Sequence, residues 1–171
     1  MLDIRVVGTD DLTGVAGVLI DSWQAAYRDI VPAELLASQT VESRRAHLER
    51  KLREGIARRT MLVASDGSEA VGTIWVGPEQ GAELDTLVGE VYAIYVVERR
   101  WHAGVGKALM ERGIAELRND GFTSAVLWVL HNNEVAQRFY ERNGWRRTSA
   151  IKLEEWGTFQ LQEVRYVFSP L

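Results

Sequence analysis

The sequence contains no cysteine and only three prolines. The lack of cysteine excludes disulfides, thiolate metal sites and a cysteine nucleophile, and it suits a reducing cytoplasm. The chain also lacks any run of about 18 apolar residues, and residues 1–7 show no basic region followed by an apolar run. We therefore expect a cytoplasmic protein that does not engage a membrane.

Long basic tracts are missing as well, and the formal net charge is -4, so a nucleic-acid partner is not expected. The segment from Arg44 to Arg59 is rich in Arg and Lys. It could face an acidic ligand, but we favour the solvated face of a helix. His47, His102 and His131 lie far apart with no carboxylate cluster beside them, so no metal is predicted.

What is present is an ordinary globular composition, 46% hydrophobic and 26% charged over 171 residues. It predicts a single domain, residues 1–171, with one core.

Hydrophobic periodicity and turn residues predict these elements in order: a strand at 2–7, helices at 12–23, 33–37 and 41–54, a hairpin of 61–65 with 70–76, a strand at 88–97, a helix between Gly104 and Gly121, a strand at 124–130, a helix between Asn133 and Gly144, and strands after Trp145 and at 164–168. This order indicates an α/β fold, a mixed sheet with helices on both faces. Two apolar faces on the helix after Gly104 predict that it packs on both sides.

A glycine-bearing loop joins the strand at 88–97 to the next helix, which begins Gly104-Val105-Gly106-Lys107. Amide N–H groups in a first helical turn have no intrahelical partners and lie at the positive end of the helix dipole, so such a loop can hold a phosphate or pyrophosphate. Short Gly-x-Gly elements also occur in ordinary tight turns. Leu109 stands where a Rossmann loop needs its third glycine, and Trp101 and Ala108 are incompatible with a P-loop.

Two motifs at the right separation resemble those of the GNAT superfamily of N-acetyltransferases. The first has the family form Gln/Arg-x-x-Gly-x-Gly/Ala after a strand. The second is Asn-x-x-Ala-x-x-Phe-Tyr-Glu-x-x-Gly, matched here by Asn133, Ala136, Phe139, Tyr140, Glu141 and Gly144. The resemblance covers most of the chain and is strongest from Gly89 to Gly144. It implies a mostly antiparallel central sheet with splayed central strands, and acetyl-CoA as co-substrate.

The first motif departs from the family pattern in three places. Trp101 stands where the family usually has Gln or Arg, and His102 and Ala103 replace the commoner Gly and basic residue. Because the main contacts in such a site are backbone N–H groups, we expect weaker cofactor binding and not its loss.

The resemblance also implies roles for individual residues. The cofactor site would comprise Ile94, Tyr95, Val96, Trp101, His102, Ala103, Gly104, Val105, Gly106, Lys107, Ala108, Asn133 and Tyr140. A bulge in the strand ending at Val96 would aim an N–H at the thioester carbonyl. Tyr140 would protonate the leaving thiolate and Glu90 would remove the amine proton, directly or through water. Trp23, Tyr27 and Arg28 would form the acceptor wall.

Each role has a structural alternative. Tyr140 and Trp23 could simply pack in the core, and Glu90 could be a solvated carboxylate at a strand end. Asn133 could cap a helix, with or without binding the cofactor, and Arg28 could have a capping role.

The predicted function is transfer of the acetyl group of acetyl-CoA to a primary amine of a small molecule. Without a Cys or a Gly-x-Ser-x-Gly element, direct attack by the amine in a ternary complex is favoured over a covalent enzyme intermediate. Two alternatives stay open: an acetyltransferase for peptides or proteins, and a non-catalytic acyl-CoA sensor. A homodimer is common in this family, although no residue here points to one.

Overall fold

The computed structural model describes residues 1–55, 57–81, 87–156 and 159–171. Its strands and helices, in chain order, are β1 (Leu2–Val6), α1 (Leu12–Ala26), α2 (Ala33–Ala37), α3 (Val41–Glu54), β2 (Thr60–Asp66), β3 (Glu69–Pro78), β4 (Val88–Val96), α4 (Val105–Asn119), β5 (Ser124–Leu130), α5 (Glu134–Arg142), β6 (Arg146–Trp156) and β7 (Phe159–Phe168). The predicted elements are therefore all present, with small differences at their ends.

The strands form a single seven-stranded sheet in the order β1-β2-β3-β4-β5-β7-β6. All neighbouring strands are antiparallel except β4 and β5, which are parallel. β4 and β5 pair only from Val88 to Glu90, opposite Ser124 to Val126. Beyond Glu90 the two central strands diverge, which confirms the predicted mixed sheet with splayed central strands.

Helices cover both faces of the sheet. On one face α4 packs closely on β3, since a Cβ atom on Gly113 would lie only 2.7 Å from the Cδ1 atom of Ile74. On the other face α1 and α3 bury Val15, Leu19 and Leu48 against β2. The prediction that α4 packs on both sides is wrong: its buried residues occupy one broad stripe, because both apolar faces belong to the same half of the helix.

β7 begins at Phe159, earlier than the predicted start near residue 164. Its first half pairs with the distal part of β6, where Lys152 lies opposite Glu163 and Glu154 opposite Leu161. Polar residues alternate along this two-stranded arm, so the apolar run that marks a buried strand is missing. Within the part of the chain that the structure describes, no helix is long and apolar enough to span a bilayer.

Candidate active site

A bulge in β4 opens the gap between β4 and β5. Trp75 of β3 lies opposite Ala93 and the next residue, Val76, lies opposite Val91, which leaves Tyr92 as the extra residue of β4. The Tyr92 hydroxyl donates to the carbonyl of Pro78 at 2.5 Å. A Cβ atom on Gly77 would lie 2.6 Å from that hydroxyl, so only glycine leaves room for it. An inserted residue bends the strand, as the family resemblance implied.

A cavity of about 1330 Å³ occupies this gap and connects the two faces of the sheet. On one face it is lined by Ala25, Ala26 and Tyr27 of α1 and its C-terminal end, and on the other by Phe139 and Asn143 at the end of α5. Pockets for one small ligand typically hold about 300–1,000 Å³, so this cavity has room for two substrates entering from opposite faces.

The backbone of β4 offers polar groups to the gap. Val97 N–H donates to Val71 O at 3.1 Å, which makes the facing pair Gly72 and Val96 a non-hydrogen-bonded pair of the ladder. By alternation, Ile94 also turns its N–H and C=O away from β3 and towards the gap, whereas Tyr95 pairs with β3. The Val96 carbonyl already accepts from Ser22 Oγ at 3.0 Å and Trp101 Nε1 at 2.8 Å. Val96 can therefore offer its N–H.

The N-terminus of α4 opens onto the same cavity. Gly104 precedes the helix with φ of 83°, in the left-handed region that favours glycine. Ala108 N–H makes the first helical bond, to Gly104 O at 3.0 Å, and Ala103 N–H donates to Arg100 O at 3.3 Å. The amides of Ala103 and Ala108 are thus used within the protein. The donors that the predicted set leaves for an anion are the N–H groups of residues 104–107.

The departures from the family motif have structural consequences. Trp101 lines the cavity, yet its indole N–H is turned to Val96 O, so it ties the loop to the end of β4. His102 has φ of 61°, a conformation that explains why glycine is the commoner residue there. Val105 is buried in the core and its side chain does not line the described part of the cavity.

Four residues of the second motif line the cavity: Asn133, Ala136, Phe139 and Tyr140. Asn133 is buried and its Oδ1 accepts from Ala136 N–H at 3.1 Å, so it caps α5, and it also lines the cavity. Phe139 covers the α4 N-terminus, because a Cβ atom on Gly106 would lie 3.3 Å from its Cε2 atom. The capping alternative for Asn133 is therefore correct, and it leaves the cofactor role open.

Tyr140 lies between the rings of Phe139, Trp145 and Tyr166, with centroid distances of 5.5, 6.4 and 6.0 Å. The residue is only 8% exposed and lines the cavity. Among the described residues its hydroxyl has no hydrogen-bond partner. Burial raises the pKa of Tyr140, with smaller contributions from Tyr95 and Glu163. The hydroxyl is thus protonated near neutral pH and free to donate to a ligand.

Glu90 stands on β4 just before the strands diverge. It is 6% exposed and lines the cavity, which excludes a solvated strand-end carboxylate. Gln80 N–H donates to its Oε2 at 2.7 Å. Burial raises the pKa of Glu90, and the hydrogen bond from Gln80 opposes that shift. A carboxylate with a raised pKa in a cavity is a candidate base.

Of the three predicted acceptor residues, Trp23 and Tyr27 are in edge-to-face contact, with ring centroids 5.3 Å apart, whereas Arg28 lies apart from them. Tyr27 lines the large cavity. Trp23 faces a separate cavity of about 100 Å³ behind Tyr95, with the Arg44 guanidinium 4.2 Å from its ring centroid. Arg28 has a side chain that is 66% exposed, and it lies 3.8 Å from Glu98. It is not part of the cavity lining in the described chain.

Sequence reasoning missed the acceptor side of the cavity, where Glu79, Lys152, Glu154 and Glu163 line the wall. Lys152 Nζ lies 2.9 Å from Glu163 and 3.6 Å from Glu154. Charged residues at alternate positions of β6, together with Glu163 on β7, could have indicated a polar strand face from the sequence. Only the pairing of the strands shows that this face lies at the gap between β4 and β5. Within the described residues, no three His, Asp or Glu side chains are grouped to hold a metal.

Comparisons with known proteins agree with this geometry. Residues 21–145 match the model of the acetyltransferase (GNAT) family. The chain belongs to the GNAT family and is an acetyl-CoA-dependent acetyltransferase, which confirms the predicted fold, family and co-substrate.

Individual relatives differ in length and function. The chain is 31% identical over 133 residues to the uncharacterized N-acetyltransferase YuaI of Bacillus subtilis, covering 78% of this chain and 74% of that protein. It is 37% identical over 88 residues to the mycothiol acetyltransferase of Geodermatophilus obscurus, covering 50% of this chain and only 28% of that longer protein.

Solved structures share the fold at low identity. The PaiA N-acetyltransferase of Thermoplasma acidophilum, solved with coenzyme A, has a TM-score of 0.72 and 22% identity, covering 96% of this chain and 98% of its own. The ribosomal-protein-alanine N-acetyltransferase of Brucella melitensis has a TM-score of 0.74 and 19% identity, covering 98% and 99%. These similarities show the fold and leave the acceptor class open.

Proposed function

We propose that the protein transfers the acetyl group of acetyl-CoA to a primary amine of a small molecule, by direct attack within a ternary complex. The observation that carries this proposal is a single cavity that passes through the sheet, with unpaired amides of the α4 N-terminus on one side and the buried carboxyl of Glu90 on the other. Both substrates can then meet at the gap between β4 and β5.

The donor side fits acetyl-CoA. The N–H groups of residues 104–107 are placed to hold the pyrophosphate, since they point out of the helix at its positive end. Ile94 N–H and C=O and Val96 N–H face the gap and would bind the pantetheine arm as an added strand. Asn133 lines the cavity at the start of α5 and would contact the arm there. Lys107 and Arg142 add positive charge on this face.

Acetyl-CoA supplies a thioester carbon that an amine can attack, forming the C–N bond and breaking the C–S bond. The amine must first lose a proton, because an alkyl ammonium has a pKa near 10.4. Glu90 accepts that proton, directly or through water. Tyr140 donates to the departing sulfur and is reprotonated by the proton that the nitrogen releases on becoming an amide. An N–H at the β4 bulge stabilises negative charge on the carbonyl oxygen.

A small acceptor is favoured because the acceptor side is bordered from two directions. Tyr27, Asp29 and Ile30 line it from the α1–α2 segment, and Lys152, Glu154 and Glu163 line it from the β6–β7 arm. A peptide acceptor remains an alternative that the assay below tests. The sensor alternative is less supported, because it leaves the unpartnered Tyr140 hydroxyl without a use. A cytoplasmic location is part of the proposal and follows from the absence of cysteine.

Initial rates of thiol release, measured with acetyl-CoA and a matched panel of amines and lysine-containing peptides, test this proposal. We expect turnover of small amines and intersecting double-reciprocal lines. Parallel lines would indicate a covalent intermediate, and turnover of peptides alone would replace the acceptor class. Tight acetyl-CoA binding by calorimetry without turnover of any amine or peptide would favour the sensor.

A further inference from the structure

The two mouths of the cavity carry opposite charge. On the α4–α5 face the lining includes Lys107, Arg138 and Arg142 with one carboxylate, Glu134. On the α1 face the charged lining of the described chain is mostly carboxylate: Asp29, Glu79, Glu90, Glu154 and Glu163, with the cation Lys152. Arg100, in the loop before α4, also lines the cavity and is paired with Asp66. The basic mouth suits the phosphates of the donor, and the acidic mouth faces the acceptor.

Strand alternation assigns the acidic side chains to the acceptor face. Tyr166 of β7 packs against Tyr140 of α5, 6.0 Å between ring centroids. Successive residues of a strand point to opposite faces, so Glu163 and Arg165 lie on the face that carries α1. Lys152 contacts Glu163 from the neighbouring strand β6 and is therefore on that face too.

Internal cations do not neutralise this wall. Lys152 lies between Glu154 and Glu163 and can balance one of them. Arg165, behind the wall, pairs with Glu79 at 2.6 Å. Asp29 and Glu90 form no ion pair among the described residues, and one of the two β6–β7 carboxylates is left over when Lys152 balances the other. Carboxylates gathered at a cavity wall attract cations from solution.

A second observation, independent of charge, marks this cavity as a ligand site. Tyr140 as a residue is more than nine-tenths buried and lines the cavity, and its hydroxyl has no hydrogen-bond partner among the described residues. The same wall already binds an ammonium group, because the Trp128 ring lines the cavity and Lys152 Nζ lies 4.9 Å from its centroid.

We infer that the acceptor is a diamine or polyamine, a primary amine whose chain carries at least one further ammonium group. The attacking nitrogen must be neutral, so a monoamine loses its own charge before it reacts. A second ammonium keeps its charge throughout and is the group that Glu154, Glu163 and Asp29 hold. This inference rests on the proposed function and narrows its substrate class.

The test compares three probes of equal chain length: 1,4-diaminobutane, butylamine and 4-aminobutanoate. We expect kcat/KM for the diamine to exceed that for butylamine by at least about tenfold, a difference of ~1.4 kcal/mol. The advantage should shrink as ionic strength rises, since exposed charges are screened. The zwitterion should be the poorest acceptor because its carboxylate faces the acidic wall.

Glu154→Gln and Glu155→Gln provide a matched pair. Glu154 lines the cavity, whereas Glu155, the next residue on β6, is exposed and does not line it. Each removes one negative charge from the same strand. Glu154→Gln should lower the ratio of kcat/KM for the diamine to kcat/KM for butylamine several-fold, whereas Glu155→Gln should leave that ratio at the wild-type value. Thermal unfolding of both variants checks that the arm still folds.

The outcomes separate the two proposals. Equal or better turnover of butylamine or 4-aminobutanoate would overturn the diamine inference and leave the acetyltransferase proposal standing. An equal effect of the two variants on the diamine would also overturn it. Turnover of peptides alone, or of nothing despite acetyl-CoA binding, would overturn the proposed function and this inference with it.

Discussion

Replacing Tyr140 with phenylalanine removes one oxygen atom from the wall of the cavity. Because that hydroxyl has no partner among the described residues, the change breaks no hydrogen bond there and leaves the ring contacts in place. The free energy of unfolding should therefore change by less than about 1 kcal/mol. Loss of a proton donor at the leaving group should lower kcat by about 10²- to 10⁴-fold. The Kd for acetyl-CoA should stay within about twofold of the wild-type value, because the hydroxyl is proposed to act on the departing sulfur and not on the bound ground-state cofactor.

Single-turnover thiol release at saturating acetyl-CoA measures the chemical step directly, and calorimetry measures donor binding. Tyr166→Phe is the matched control, because Tyr166 is also buried and adjacent to Tyr140. Its hydroxyl instead donates to Glu141 at 2.9 Å. The control should lose stability, by about 1–3 kcal/mol, and keep its rate. An unchanged single-turnover rate in Tyr140→Phe would refute the proton-donor role and restore the core-packing interpretation.

Four further changes test the donor loop and the base. Gly104→Ala places a side chain at φ of 83°, which costs about 1–2 kcal/mol, and it should raise the Kd for acetyl-CoA measured by calorimetry roughly tenfold. Gly106→Ala needs only a small shift of Phe139, so its Kd for acetyl-CoA should stay within about threefold of the wild-type value. Trp101→Phe removes a donor to Val96 O, so stability should fall by about 1 kcal/mol and the acetyl-CoA Kd should rise; an unchanged Kd would mean the anchor does not position the loop. In the wild type, kcat/KM should rise with pH as Glu90 ionises, at a pH above the ordinary carboxyl pKa of 4.5. Glu90→Gln should abolish that rise. Because the pKa of Glu90 is raised in the folded state, ionisation of Glu90 destabilises the fold. The free energy of unfolding of Glu90→Gln should therefore rise relative to that of the wild type as pH increases through the folded-state pKa of Glu90. A difference in free energy of unfolding that is the same at all pH values would contradict the raised pKa.

The donor side of the site could be predicted from sequence because it is local. The proposed phosphate-binding amides, the strand before them and the motif on α5 come from short segments whose glycines and caps have direct physical meaning. Gly104 directly precedes α4, as the position of the glycine-bearing loop predicted, and Asn133 caps α5, one of the two roles considered for it. The predicted set of amides free to bind an anion includes Ala108, although its N–H makes the first hydrogen bond of the helix. That bond cannot be assigned until the exact start of the helix is known.

The acceptor side could not be predicted in the same way because its side chains come from remote segments. Arg28 and Tyr27 are neighbours in sequence, yet only Tyr27 lines the cavity, because the helix ends at Ala26 and the chain turns there. Glu79 and Glu163 reach the same cavity through strand register alone. Polar alternation on an exposed arm looks like solvated surface until the register is known.

The donor and acceptor contacts of the proposed site come from different parts of the chain. In the proposed site, backbone amides and carbonyls would hold the donor, so substitutions elsewhere in the chain would leave them in place as long as β4 and α4 keep their geometry. Acceptor contacts would come from side chains on β6, β7 and the α1–α2 segment, where a change such as Glu154→Gln alters charge without moving the donor amides. Acceptor preference can therefore change by single substitutions while acetyl-CoA affinity stays constant. That independence is also why family membership identifies the reaction of this chain but the charge of its own cavity wall is needed to identify the amine.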